Sequence, residues 1–285
     1  MEWDEGLNRE ESEDRGLKTE DRGDKTSVVR PLSAGRYWSC RLLQSPRMPV
    51  VLALMAVVVS LPALRDGFLN DDFMHRSILA GPSDGVSRLA ERGLAPQRSG
   101  RLGHALSHTF VAVRPRENLR PLRDYGALPW WTYDGFRVAF WRPVASFTQW
   151  LDYRLFPQST LLMHLHCILW FGVAVLGVAL LYRRIASVDS VESPNRSAAG
   201  GAVWIGGLAA LMYLLDDNGY FPSLWIANRN LPISLFFGAM TVLTHDRWRR
   251  RQWRPGAILA PACLLVSVLA TEGGIAAFAY LLAYE

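Results

Sequence analysis

The sequence predicts an all-α, polytopic transmembrane helix bundle with a large extracytoplasmic first loop containing interfacial helices. Three observations carry that prediction. Uncharged apolar runs recur from Met48 onward, arginines concentrate in alternate short loops, and many of the 11 tryptophans stand beside apolar runs. Indole rings favour the membrane–water boundary. Whole-chain averages hide this pattern, because a hydrophobic content of 50%, a mean hydropathy of +0.07 and a formal charge of +5 blend two unlike parts.

Residues 1–47 form the first part, a polar and basic cytoplasmic tail. Over residues 1–29 the chain is Glu, Asp, Arg, Lys, Gly and Ser with almost no apolar content. It cannot bury enough surface to offset its ordering entropy, so disorder is expected. Arg30, Arg36, Arg41 and Arg47 follow with no acid among them. Met48 is an alternative start.

Residues 48–285 form the membrane domain. Its first run, Met48–Leu64, has 17 uncharged residues, the short end for a spanning helix. A cleaved signal peptide is the competing reading, and the apolar runs downstream favour an uncleaved helix. Leu161–Tyr182 has 22 residues without Asp, Glu, Lys or Arg. Ser197–Leu215 has 19, with glycines and alanines suited to close helix packing in lipid. Leu231–Thr244, Gly256–Thr271 and Gly273–Tyr284 complete six expected spans at about 48–64, 161–182, 197–215, 231–244, 256–271 and 273–285. The last ends with the sequence, so a truncated product is expected.

Loop charges set the orientation. The loop at 183–196 carries Arg183, Arg184 and Arg196, and that at 245–255 has five arginines against one acid. Between them, Asp216–Asn230 has one arginine and two aspartates. Positively charged loops stay in the cytoplasm, which places the N-terminus there as well. Residues 65–160 then form one extracytoplasmic loop in a plasma or inner membrane. Within it, Pro143–Phe156 spaces Val144, Phe147, Trp150, Leu151 and Leu155 as a helical stripe, with Asp152 and Arg154 elsewhere on the wheel. Preceded by Trp130, Trp131, Tyr133, Phe136, Phe140 and Trp141, it reads as a helix in the membrane interface. An ordinary amphipathic helix packed on a small extracytoplasmic domain is the alternative.

Candidate chemistry gathers on that same face. Asp71 and Asp72 follow the first span, Asp216 and Asp217 the third, and Glu272 the fifth; Arg229 precedes the fourth and Arg142 the interfacial helix. Taken singly, each acid reads as a solvated helix end. Together they suit an anionic lipid headgroup, because an arginine fork fits a phosphate and a nearby carboxylate can accept a proton from an attacking hydroxyl. His164 and His166 are two residues apart, point to different sides of a helix and do not form a shared metal site. No metal site is visible. Cys40, Cys167 and Cys263 lie far apart and read as packing residues. Walker, HExxH and Ser-His-Asp patterns are missing, and the arginines form no continuous basic face for nucleic acid.

The chain contains the short motifs Gly67-Phe68-Leu69-Asn70-Asp71-Asp72-Phe73, Trp141-Arg142-Pro143-Val144, Leu151-Asp152-Tyr153-Arg154-Leu155-Phe156, Met163-His164-Leu165-His166, Trp225-Ile226-Ala227-Asn228-Arg229-Asn230 and Ala270-Thr271-Glu272-Gly273. In this order they resemble the GT-C superfamily of integral-membrane glycosyltransferases. Within it, the chain looks most like the protein O-mannosyltransferase branch and its tetratricopeptide-repeat relatives. The resemblance implies transfer of a sugar from a polyprenyl-phosphate donor to a protein, glycan or lipid acceptor. Asp71 or Asp72 would be the catalytic base and Arg229 a ligand of the donor phosphate. Arg142, Asp216, Asp217 and Glu272 are further candidates for substrate binding. No cofactor is required, and a divalent cation bridging carboxylate and phosphate is compatible. The chain departs from the family at Thr271, where the family has a lysine, in having no tetratricopeptide repeats, and in having fewer spans. A membrane transporter or a non-catalytic assembly protein using the same acids is the rival. Transporters favour duplicated halves and mid-span charges, whereas these spans are nearly charge-free.

Overall fold

The computed structural model describes residues 42–80, 91–94, 100–192, 196–216 and 224–285. The expectations for the tail up to residue 41, for Cys40 and for Asp217 lie outside the described residues. What is described is mostly helical. Helix α1 spans Met48–Ser60 and tightens into a 3-10 turn, Leu61–Arg65. In the first loop come α2 (Asp71–Leu79), α3 (Leu102–His108), strand β1 (Val111–Val113), α4 (Leu119–Asp124), strand β2 (Val138–Ala139) and α5 (Pro143–Leu155). Next are α6 (Thr160–Glu192), α7 (Arg196–Leu215), a 3-10 turn at Ile226–Asn228, and α8 (Asn230–Arg251). The chain closes with α9 (Gly256–Ala270), a 3-10 turn at Glu272–Gly274 and α10 (Ile275–Tyr284).

Helix α6 is the hub, packed against α1, α7 and α8, while α9 packs along α8. Leu52 and Ala56 of α1 meet Ile168, Phe171 and Val175 of α6, and Ala210 and Leu214 of α7 complete the cluster. Burying a side chain of Leu, Ile or Phe size contributes about 1.5–3 kcal/mol each. The close approach needs glycine: a Cβ on Gly206 would sit 2.9 Å from the carbonyl oxygen of Tyr182.

A second cluster fastens the first loop to the bundle end. It joins Ile78 and Leu79 of α2, Ala105 of α3, Tyr153 of α5, and Met163 and Cys167 of α6 to Ile226. β1 and β2 pair antiparallel, with Val111 opposite Ala139.

Two helices are long and apolar enough to cross a membrane, Met48–Arg65 and Thr160–Ser187. Val203–Leu215 and Gly256–Ala270 are apolar but shorter. The expected fourth span runs on from Thr244 to Arg251, because arginines are good helix formers and favour the negative end of the helix dipole. The expected sixth span holds only ten helical residues, Ile275–Tyr284. It starts late because Thr271 is extended, at φ −160°, and Glu272–Gly274 form a 3-10 turn.

Helix α5 turns its polar side inward. Ala145, Ser146, Gln149, Asp152 and Tyr153 are buried, whereas Phe147 is 44% and Leu155 66% exposed. Of the apolar stripe read from the sequence, Phe147 and Leu155 therefore face away from the protein, whereas Val144, Trp150 and Leu151 are half-buried, Trp150 against the cluster around Tyr153.

Candidate functional site

The acidic pair begins α2, and its two members part. Asn70 before them adopts φ +33° and ψ −103°, outside the regions most residues use. That bend sends Asp72 into the protein and leaves Asp71 at the surface. Asp72 is 1% exposed. Its Oδ2 accepts the Leu69 N–H at 2.9 Å and its Oδ1 the Ala227 N–H at 2.6 Å. Burial pushes its pKa up to about 6, although the two N–H groups pull the other way.

Other bonds tighten the same junction. The His164 ring nitrogens lie 3.2 Å from the carbonyl oxygens of Leu224 and Gly67, and the Trp225 indole donates to Leu69 O at 3.2 Å. His164 therefore joins the loop before α2 to the turn before α8.

Beside this junction is a cavity of about 120 Å³. Asp71, His75, Phe110, Arg142, Trp225 and Asn228 line it, among others. It has room for about four waters. The Arg142 guanidinium lies over the Phe140 ring at 4.5 Å and meets Glu272, with Nη2 donating to Oε2 at 2.7 Å and Nε at 3.0 Å. Partial burial works against the Glu272 carboxylate, but hydrogen bonds and charge from Arg142 outweigh it and hold its pKa below the usual value. Burial lowers the pKa of His75 to about 4 despite the opposing influence of Gln149, so its ring is neutral at pH 7.

The sequence-derived candidates thus divide. Asp71, Arg142 and Glu272 come together around the cavity, with Asp72 buried just behind it. Asp216 is exposed at the end of α7 and is not among the cavity's lining residues.

Arg229 is fully buried inside the bundle and does not line the cavity. Its guanidinium pairs with the Asp152 carboxylate and donates to Met163 O at 3.1 Å and Cys167 Sγ at 3.3 Å. His166 completes this network, with Nδ1 2.6 Å from Asp152 Oδ1 and Nε2 accepting from the Trp170 indole at 3.0 Å. A charge buried so deeply needs a partner of opposite sign, and Asp152 supplies it.

Sequence reasoning passed over His75, Phe110 and Asn228 as cavity residues. They sit on separate segments, and no spacing rule connects them. Asp152 was visible as an acid on an otherwise apolar helix, but its pairing with Arg229 is a tertiary contact. Among the described residues no group of three or more His, Cys, Asp or Glu is placed to hold a metal ion. No family model matches the chain, nor does any curated protein or solved structure.

Proposed function

We propose that the chain is a GT-C-type membrane glycosyltransferase, transferring a sugar from a polyprenyl-phosphate donor to an acceptor hydroxyl on the extracytoplasmic face. The observation that carries this reading is an open carboxylate and an arginine lining one cavity, Asp71 and Arg142. Asp71 takes the acceptor proton as the acceptor oxygen bonds to the anomeric carbon. The carbon–oxygen bond to the phosphate breaks, the configuration inverts, and the lipid phosphate leaves with the electron pair. Nε and Nη2 of Arg142 face Glu272, which leaves Nη1 to meet the developing phosphate charge. Asp72 holds the backbone that aims Asp71, and His75 adds a neutral hydrogen-bonding group.

A multi-pass topology with a cytoplasmic N-terminus is part of the same reading. Along α6, His164 at the site end and Arg184 at the other are 20 residues apart. At 1.5 Å per residue that is about 30 Å, the thickness of a hydrocarbon core. Exposed Phe147 and Leu155 of α5 and exposed Trp130, Trp131 and Trp141 would rest in the interface on the site side.

Sidedness tests the proposal. Vesicles containing the protein in one orientation are given a polyprenyl-phosphate sugar and a hydroxyl acceptor. Transfer is expected only with acceptor on the side of Asp71. Transfer confined to the Arg247 side, or none with any donor, would refute it.

A further inference from the structure

At the end of the bundle opposite Asp71, a cleft of about 260 Å³ opens between α6 and α8. Its inner wall is apolar, formed by Leu180, Met240 and Leu243. Its rim carries Arg183, Arg184, Arg247 and Arg251 against one acid among the described residues, Asp246. That acid is fully engaged. Its Oδ2 pairs with Arg184 Nε at 2.6 Å, and its Oδ1 lies 3.3 Å from Arg250 Nε and accepts the Tyr284 hydroxyl at 3.1 Å. Arg183 is committed too, donating to the carbonyl oxygens of Gln44 at 3.0 Å and Ser45 at 2.7 Å. Arg247 and Arg251 stand four residues apart on α8, so they share a face. Both are exposed, and neither has a carboxylate within ion-pair distance among the described residues.

The geometry points to a binding site for an anionic phospholipid, with the phosphate held between Arg247 and Arg251 and an acyl chain laid along Leu180, Met240 and Leu243. An apolar wall topped by two unneutralised guanidinium groups matches that amphiphile. A soluble phosphate would use the rim alone, and a zwitterionic lipid would bring its own cation against the arginines. The site rests on the membrane reading of the chain but is independent of sugar transfer.

The test is thermal unfolding of the full chain in neutral detergent, titrated separately with phosphatidylglycerol, phosphatidylcholine and inorganic phosphate. Phosphatidylglycerol is expected to raise the melting temperature most and inorganic phosphate to leave it unchanged. In the double variant Arg247→Gln/Arg251→Gln the unliganded melting temperature should hold, while the apparent affinity for phosphatidylglycerol falls roughly thirtyfold, at about 1 kcal/mol per lost arginine. An equal response of wild type and variant overturns the site, as does equal stabilisation by both lipids, and the membrane reading survives either result. Stabilisation by inorganic phosphate alone assigns the rim to a soluble anion and also overturns it. No response to any lipid overturns the site together with the membrane reading.

Discussion

Arg142 and Glu272, 130 residues apart in the chain, meet in a two-pronged ion pair at the rim of the cavity that Asp71 lines. The contact fixes the start of α5 against the turn after α9. Since the Glu272 side chain is 52% exposed, solvent screens much of the attraction, and the pair is worth at most about 1 kcal/mol to stability. Its role in the account is to orient the arginine. Glu272→Gln is therefore expected to leave the melting temperature within about 2 °C of wild type. The same variant should raise KM for the polyprenyl-phosphate donor several-fold, measured by initial rates of transfer.

Asp72 predicts a pH signature. Its pKa is raised by burial from 3.8 to about 6, so the stability it contributes is complete below pH 4 and is lost as pH rises through 6. The loss amounts to about 3 kcal/mol. His75 acts oppositely: with its pKa lowered from 6.5 to about 4, it costs stability as pH falls through the same window. The two partly cancel in the wild type, so the comparison must be with Asp72→Asn. Denaturant titrations from pH 4 to 7 should show wild type losing stability relative to that variant as pH rises. Parallel profiles would contradict the burial argument.

The ion pair of Arg229 with Asp152 predicts non-additive mutations. Arg229→Met leaves the Asp152 charge buried and should cost roughly 3–5 kcal/mol. Arg229→Met with Asp152→Leu removes both charges and should recover most of that loss. A double-mutant cycle on unfolding free energies measures the coupling. Additive effects would mean that the two side chains do not depend on each other.

Helix contact predicts the response to added side-chain volume. At Gly206 a Cβ meets the Tyr182 backbone at 2.9 Å, so Gly206→Leu should cost about 1–3 kcal/mol or more by forcing α7 away from α6. Gly103 in α3 has nothing within 4 Å of a Cβ, and Gly103→Ala should be neutral or stabilising by up to about 1 kcal/mol. Melting curves for both variants, taken side by side, check the contrast.

Most of the helical framework was legible because uncharged runs and arginine-rich loops are local signals. The run Leu161–Tyr182 marks α6, although the helix continues to Glu192, past Arg183 and Arg184, because arginines extend a helix readily. The run Gly273–Tyr284 marks α10, and apolarity carries no information about the 3-10 turn at Glu272–Gly274 that precedes the helix. At the site, the spacing of Asp71 and Asp72 marks the place but not the division of labour. That division arises from the bend at Asn70 and from the distant N–H of Ala227. Arg229 has the charge a phosphate ligand needs, and only the packing of α5 and α6 around it reveals its commitment to Asp152. His75 lacks a local signal, because its role comes from its neighbours across the cavity.

The role of Asp71 is decided by release of polyprenyl phosphate from wild type, Asp71→Asn and Asp72→Asn, with the melting temperature of each sample recorded alongside. Asp71→Asn is expected to lower kcat by about 100-fold or more while melting like wild type, as for loss of a general base. Asp72→Asn should retain more activity than Asp71→Asn and shift the pH dependence of melting. Full activity in Asp71→Asn would rule out Asp71 as the catalytic base.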